Sequence, residues 1–242
     1  MPIVDKLKTF LKKSPIPLSK NHLYDIQTKK IIAGLSKDAN CIDVGCYRGE
    51  MLDLMLAAAP EGIHFAIEPV PVNCEYIRDK FSDNANCHIL NFAASNVKGK
   101  ANFNYVLSNP SYSGLKKRTY DRAYEKDINI EVLTDKLDNQ IPSDVPIHLI
   151  KIDVEGAELL VLEGARNLIA KNKPIVVFEH GLGASDVYGA GPEELYSFFN
   201  QLDMCISNLG TFVKGQPSLD IEAFKQQYLN KRHYYFVAHA CK

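Results

Sequence analysis

Between Leu149 and Leu160 the chain reads LIKIDVEGAELL. An apolar run stops at Asp153, and Glu155 and Glu158 follow around Gly156 before apolar residues resume. Acids in the first turn of a helix stabilise it by about 0.3–1 kcal/mol each, which accounts for Glu158. Asp153 is different, because it ends the apolar run itself and would face whatever binds beyond it. The same punctuation recurs along the chain. Asp43 and Gly45 close one apolar run and Glu68 the next; Asn91, Phe92 and Ala93 end a third, and Glu179 and His180 follow IVVF. These positions are rich in acids and, apart from Arg48 in the first turn, hold no lysine or arginine. Such a set attracts a cationic ligand, accepts hydrogen bonds from hydroxyls, or removes a proton.

The first of these turns is Asp43-Val-Gly-Cys-Tyr-Arg-Gly49. Its two glycines permit a tight turn and a close backbone approach to a ligand. A dinucleotide loop would show Gly-x-Gly-x-x-Gly and aim helix amides at a pyrophosphate. Here the third glycine is missing, and Asp43 and Glu50 repel a phosphate. S-adenosylmethionine carries a sulfonium and an ammonium and no phosphate, so this turn suits it. Glu68, about one strand–helix unit downstream, is placed to accept hydrogen bonds from ribose hydroxyls, a role that nicotinamide and S-adenosyl cofactors share.

The elements that must carry these residues alternate. Helical patterns cover His22 to Leu35, Glu50 to Ala59, Pro71 to Phe81, Ala157 to Ala170 and Pro192 to Leu202. Short apolar runs cover Ala39 to Val44, Ile63 to Ile67, Asn86 to Phe92, Ile147 to Ile152, Ile175 to Phe178, Met204 to Ser207 and Tyr234 to Ala240. Repeated strand–helix alternation predicts an α/β fold, a mainly parallel sheet with helices on both faces. Ligands of such sheets bind beyond the carboxyl ends of the strands, where the acids lie. Two segments break the rhythm. Asn96 to Gln140 holds strand-like NFNYVL and INIEVL around SNPSYSGLKKR, and Gly181 to Gly191 is glycine-rich. Loops of such length in a compact domain are commonly functional.

A net charge of −1 leaves no global field to attract nucleic acid or an anionic membrane. No apolar run is long enough to cross a bilayer. The cysteines form no Cys-x-x-Cys pair, and Cys41, Cys87 and Cys205 lie in apolar runs, where cysteine acts as a small hydrophobe. With no signal-peptide pattern at the start, this favours a reducing cytoplasm. The opening stretch interleaves Ile3, Val4, Leu7, Phe10 and Leu11 with lysines, which suits an apolar helix face packed on the domain better than a membrane-surface helix.

The segments CIDVGCYRGEML, FAIEPVPVN, NFAASNVKG, VLTDKLDNQ, LIKIDVEGAELLVLEGA and PIVVFEHG resemble the FkbM family of S-adenosylmethionine-dependent methyltransferases, in that family's order, over roughly Asp38 to Gly181. The resemblance implies a Rossmann-like class I methyltransferase fold, a seven-stranded sheet with an antiparallel last strand. It implies a methyltransferase domain over 38–242 with an acceptor-side insertion at about 96–140, preceded by a helical segment over 1–37. Asp43, Gly45, Cys46, Tyr47 and Gly49 would then surround the methionine end of S-adenosylmethionine, Glu68 and Pro69 its ribose, and Asn91, Phe92 and Ala93 its adenine.

Methyl transfer is an in-line displacement, so the protein must position an acceptor, exclude water and remove one proton. His180 and Asp153 are the candidate bases, and Ser113, Glu155 and Glu179 the candidate acceptor contacts. The expected acceptor is a hydroxyl on a small-molecule or carbohydrate-like compound, with S-adenosylhomocysteine as product. A divalent cation would choose oxygen ligands, and Asp153, Glu179 and His180 are the set available to it, although the spacing demands no metal. Two other classes stay open: a nicotinamide oxidoreductase, and a cofactor-binding protein without turnover on a degenerate methyltransferase fold.

Overall fold

A computed structural model describes residues 16–118, 120 and 124–241. The amphipathic opening stretch, including Ile3 and Phe10, lies outside the described residues. The chain begins with helix α1 (Lys20–Ala33), where the Ser19 side chain accepts a hydrogen bond from His22 N–H at 3.1 Å, an N-cap of the usual kind. Strand β1 (Cys41–Val44), helix α2 (Glu50–Ala58), strand β2 (His64–Ile67), helix α3 (Pro71–Lys80) and strand β3 (Cys87–Leu90) follow. Pro71 opens α3, at the position where its missing N–H costs nothing.

The segment that breaks the alternation forms a small sheet of its own. Strands β4 (Ala93–Ala94), β5 (Gly99–Val106) and β6 (Asp127–Asp135) are ordered β4-β6-β5, with β5 and β6 antiparallel. The short helix α4 (Leu137–Gln140) returns the chain to strand β7 (Leu149–Ile152). Helices α5 (Glu158–Gly164) and α6 (Arg166–Asn172) replace the single helix expected over 157–170, with the break at Ala165. Strand β8 (Ile175–Glu179), helix α7 (Pro192–Asn200), strand β9 (Met204–Asn208), helices α8 (Leu209–Val213) and α9 (Ile221–Leu229) and strand β10 (Tyr235–Ala240) complete it.

The main sheet has the order β3-β2-β1-β7-β8-β10-β9. Strands β3, β2, β1, β7 and β8 run parallel, and β10 is antiparallel to both β8 and β9. Alternation along each strand sorts the residues into two faces. Ile42, Ile150, Val176, Phe178 and Phe236 enter the larger core. Cys41, Leu149, Val177 and Val237 pack on the other face against Tyr24, Ile31 and Ile32 of α1. That second face turns polar at its upper end, because Asp43 and Lys151 pair across β1 and β7.

Cys41 and Cys46 are buried free thiols. Cys205, expected to be another small hydrophobe, instead forms a disulfide with Cys241. The antiparallel pairing sets Cys205 opposite His239, two residues from Cys241, and so brings the sulfurs together. The expectation of a reducing compartment therefore loses part of its support. No helix of the described residues is long and apolar enough to cross a membrane.

Candidate functional site

The acids meet at the carboxyl ends of β1, β2, β7 and β8. The turn after β1 is built by Gly45 and Gly49, both left-handed at φ +76° and +72°. A Cβ on Gly45 would lie 2.0 Å from the carbonyl oxygen of Asp153, so only glycine lets this turn close against β7. Tyr47 is also left-handed (φ 48°) and projects outward. Its N–H donates to Glu68 Oε2 at 2.9 Å, and Glu68 Oε1 accepts from Val70 N–H at 2.9 Å and Asn73 Nδ2 at 3.3 Å. Glu68 is thus a buried carboxylate fastening the β1 turn to the β2 turn. Burial pushes it up to about 7 against these three hydrogen bonds. Oε2 carries one bond and retains capacity for a hydroxyl donor.

Asp43 is 1% exposed, and among the described residues neither of its oxygens accepts a hydrogen bond of normal geometry. Lys151 Nζ lies 3.8 Å from its Oδ1. Burial raises Asp43 to about 6, opposed by that lysine. Lys151 also donates to Asp153 Oδ2 at 3.0 Å, and the Tyr235 hydroxyl donates to the same oxygen at 2.7 Å. Burial lifts the Asp153 carboxyl, but Lys151 and Tyr235 win and hold it below its ordinary value.

The three acids of the opening segment have three different jobs. Asp153 faces the cleft. Glu155, in a left-handed turn (φ 56°), ion-pairs with Arg118 of the insertion. Burial raises its carboxyl, as does the charge of Asp153, against the pull of Arg118. Glu158 Oε1 accepts the N–H groups of Val154 and Gly156, each at 3.2 Å, and so holds the turn. Glu179 stands opposite Tyr235 in the register, and burial lifts it well above the carboxylate range, with Glu155 and Asp153 adding to the effect.

One oxygen each from Asp153, Glu155 and Glu179 lie within 4.8 Å of one another. These three, and not the set with His180, are the oxygen donors a divalent cation would find. Two loops meet beside Glu155. Lys116 N–H donates to the Tyr188 hydroxyl at 2.8 Å, and Gly114 sits against Tyr188 and the Glu155 side chain.

The structure sorts the remaining candidates. His180 is fully buried on the sheet face opposite Glu179, stacked on Tyr228 and Phe224 with ring centroids 4.7 and 5.8 Å away. Among the described residues neither ring nitrogen has a partner, and burial lowers its pKa to about 4. It is not brought to the acids. Ser113 Oγ accepts the N–H of Val106 at 3.0 Å, a tie within the insertion. Asn91 Nδ2 donates to the carbonyls of Glu68 and Pro69 at 2.8 and 3.1 Å, which secures the β2 turn. The side chains of Phe92, Ala93 and Cys46 pack into core clusters. Pro69 therefore takes part through its backbone carbonyl. Lys151, Tyr235 and Tyr188 escaped notice in the sequence, and Arg118 showed only as the end of the basic run in SNPSYSGLKKR. Lys151 did leave a signal, as the charged residue inside an apolar strand two places from Asp153; the other three reach the site only through tertiary packing.

An acid-lined crevice over a sheet of this strand order, with the antiparallel strand second from the edge, defines a class I S-adenosylmethionine-dependent methyltransferase fold. The Methyltransferase FkbM domain family matches residues 43–211, well over half of the chain, and the chain belongs to that family. Among solved structures it is similar to a methyltransferase FkbM from Methylobacillus flagellatus KT, at 16% identity over 85% of this chain and 44% of that one, with a TM-score of 0.47. It spans less than half the length of that relative. Fibrillarin pre-rRNA processing protein from Methanococcus jannaschii gives 16% identity over 88% and 73%, TM-score 0.48. A SAM-dependent methyltransferase from Aquifex aeolicus gives 11% over 97% and 96%, TM-score 0.44. No curated protein matches the chain.

Proposed function

We propose that this protein transfers a methyl group from S-adenosylmethionine to a hydroxyl oxygen of a small, carbohydrate-like acceptor. The observation that carries the reading is the row of acids Asp43, Glu68 and Asp153 at the ends of three parallel strands, beside a glycine turn with no phosphate cradle. Two buried Asp43 oxygens that accept no hydrogen bond of normal geometry among the described residues and a Glu68 oxygen with spare capacity fit a cofactor that brings an ammonium, a sulfonium and ribose hydroxyls. S-adenosylmethionine supplies an electrophilic methyl on a sulfonium that leaves as a neutral thioether.

The protein's own residues do the rest. Glu68 accepts ribose hydroxyls, and Asp43 supplies negative charge to the methionine end. Asp153, kept as a carboxylate by Lys151 and Tyr235, takes the proton of the attacking hydroxyl. Arg118, Lys116 and Tyr188 join two loops above the acids and exclude water. His180, buried away from them, takes no part.

The test uses S-adenosylmethionine with a deuterated methyl group and a panel of glycosides with free hydroxyls, with amines and thiols as controls. The label is expected on oxygen, and Asp153→Asn is expected to slow transfer about 100-fold with S-adenosylhomocysteine binding retained. Label on nitrogen or sulfur, or a wild-type rate in Asp153→Asn, contradicts the proposal.

A further inference from the structure

Asp153 is held more firmly than proton removal alone requires. Both of its donors bind one oxygen: Lys151 Nζ at 3.0 Å and the Tyr235 hydroxyl at 2.7 Å meet at Oδ2. Oδ1 takes no protein hydrogen bond among the described residues, and the side chain is 28% exposed. Tyr235 is itself immobilised, with its ring 5.3 Å from Tyr24 and 6.1 Å from Tyr234. Lys151 approaches along the apolar face from the neighbouring level and is 8% exposed. A carboxylate tethered this way has little rotamer freedom left, and its free oxygen has one direction to point.

Its backbone carbonyl, at the same time, lies directly against Gly45 of the cofactor turn. The substrate and product forms of the proposed cofactor differ by a methyl group and one positive charge, at the sulfur. A fixed carboxylate beside the turn that binds both forms interacts more strongly with the charged one.

We propose that Asp153 distinguishes sulfonium cofactor from thioether product, and that Tyr235 acts as its positioning residue. Weak retention of the product would then follow from the loss of one charge pair at the moment of transfer. The inference rests on the cofactor reading above. It concerns Asp153 as the carboxylate present before transfer, whereas the base role proposed above has it take a proton only as the acceptor attacks.

The test measures dissociation constants of S-adenosylmethionine and S-adenosylhomocysteine by calorimetry for wild type, Asp153→Asn, Tyr235→Phe and the double variant. Thermal melts confirm that each is folded. Wild type is expected to favour S-adenosylmethionine. Asp153→Asn should reduce that preference at least five-fold, chiefly through weaker S-adenosylmethionine binding, with S-adenosylhomocysteine changed less than two-fold.

Tyr235→Phe, which keeps the ring and deletes one donor, should reduce the preference about three-fold. In the Asp153→Asn background it should add nothing, as coupled residues do. An additive effect, or a preference unchanged in both single variants, overturns the inference. Should Asp153→Asn not fold, the preference in Tyr235→Phe decides alone. Absence of binding by wild type to either compound would sink the cofactor reading instead, so the two failures are distinct.

Discussion

Replacing His180 by phenylalanine separates a base from a buried ring. The imidazole is fully buried, stacks on Tyr228 and Phe224, and leaves both nitrogens without partners. Each unsatisfied buried polar atom costs about 1–3 kcal/mol. Phenylalanine removes both and keeps the stacking, but it is slightly larger, and overpacking costs about 1–3 kcal/mol. A net gain near 2 kcal/mol at pH 8 is the expected balance, or about 4–8 °C in Tm for a chain of this size.

The pH dependence is sharper. Burial lowers the folded-state pKa of His180 from 6.5 to about 4, so the unfolded chain binds a proton that the native one refuses. The wild type therefore loses stability as pH falls through 6.5 toward 4, by about 2 kcal/mol at pH 5. His180→Phe should lack that loss. Urea unfolding at pH 8 and pH 5 measures both effects, and methyl transfer at pH 8 should stay within two-fold of wild type. A folded His180→Phe variant that binds S-adenosylhomocysteine normally but transfers methyl 100-fold more slowly would refute the reasoning, because it would put the ring at the acceptor.

Gly45→Ala should cost more than about 3 kcal/mol and abolish cofactor binding, since its Cβ would lie 2.0 Å from the Asp153 carbonyl oxygen. Gly183→Ala, equally left-handed but with nothing within 4 Å, should cost only about 1–2 kcal/mol; denaturant titration compares them. S-adenosylhomocysteine affinity should rise about ten-fold from pH 6 to pH 8, because Glu68, pushed up to about 7 by burial, must be a carboxylate to accept ribose hydroxyls. Asp43, raised to about 6, contributes at the acidic end, so Glu68→Gln isolates the share of Glu68 by flattening the upper part of the profile. Cys241→Ser opens a loop of sequence separation 36 and should lower stability by about 2–4 kcal/mol, leaving S-adenosylhomocysteine affinity unchanged.

Local patterns made much of this legible. Apolar runs punctuated by acids located β1, β2, β7 and β8 and the residues just beyond them, and NFNYVL and INIEVL mark the paired strands β5 and β6, with Leu107 just past the end of β5. What stayed hidden depends on which strands become neighbours. Asp153 and Tyr235 are 82 residues apart and meet because β8 lies between their strands. Arg118 reaches Glu155 across 37 residues from a loop without periodicity. The disulfide needed the β9–β10 register. His180 lies away from the acids for a simpler reason. Position after a strand says nothing of face, and alternation puts His180 with Phe178 and Val176, away from Glu179. That alternation was readable in IVVFEH.

The central claim is that the acids at the strand ends bind an S-adenosyl cofactor. Calorimetric titration of the wild-type protein and Glu68→Ala with S-adenosylhomocysteine, with NADH as control, tests it most directly. Deleting a charged hydrogen-bond acceptor costs about 1.5–3 kcal/mol. Wild type should therefore bind in the micromolar range, the variant at least ten-fold more weakly, and NADH should give no heat. Silence from S-adenosylhomocysteine, in heat and in thermal stabilisation alike, would contradict the account and leave the resemblance one of fold.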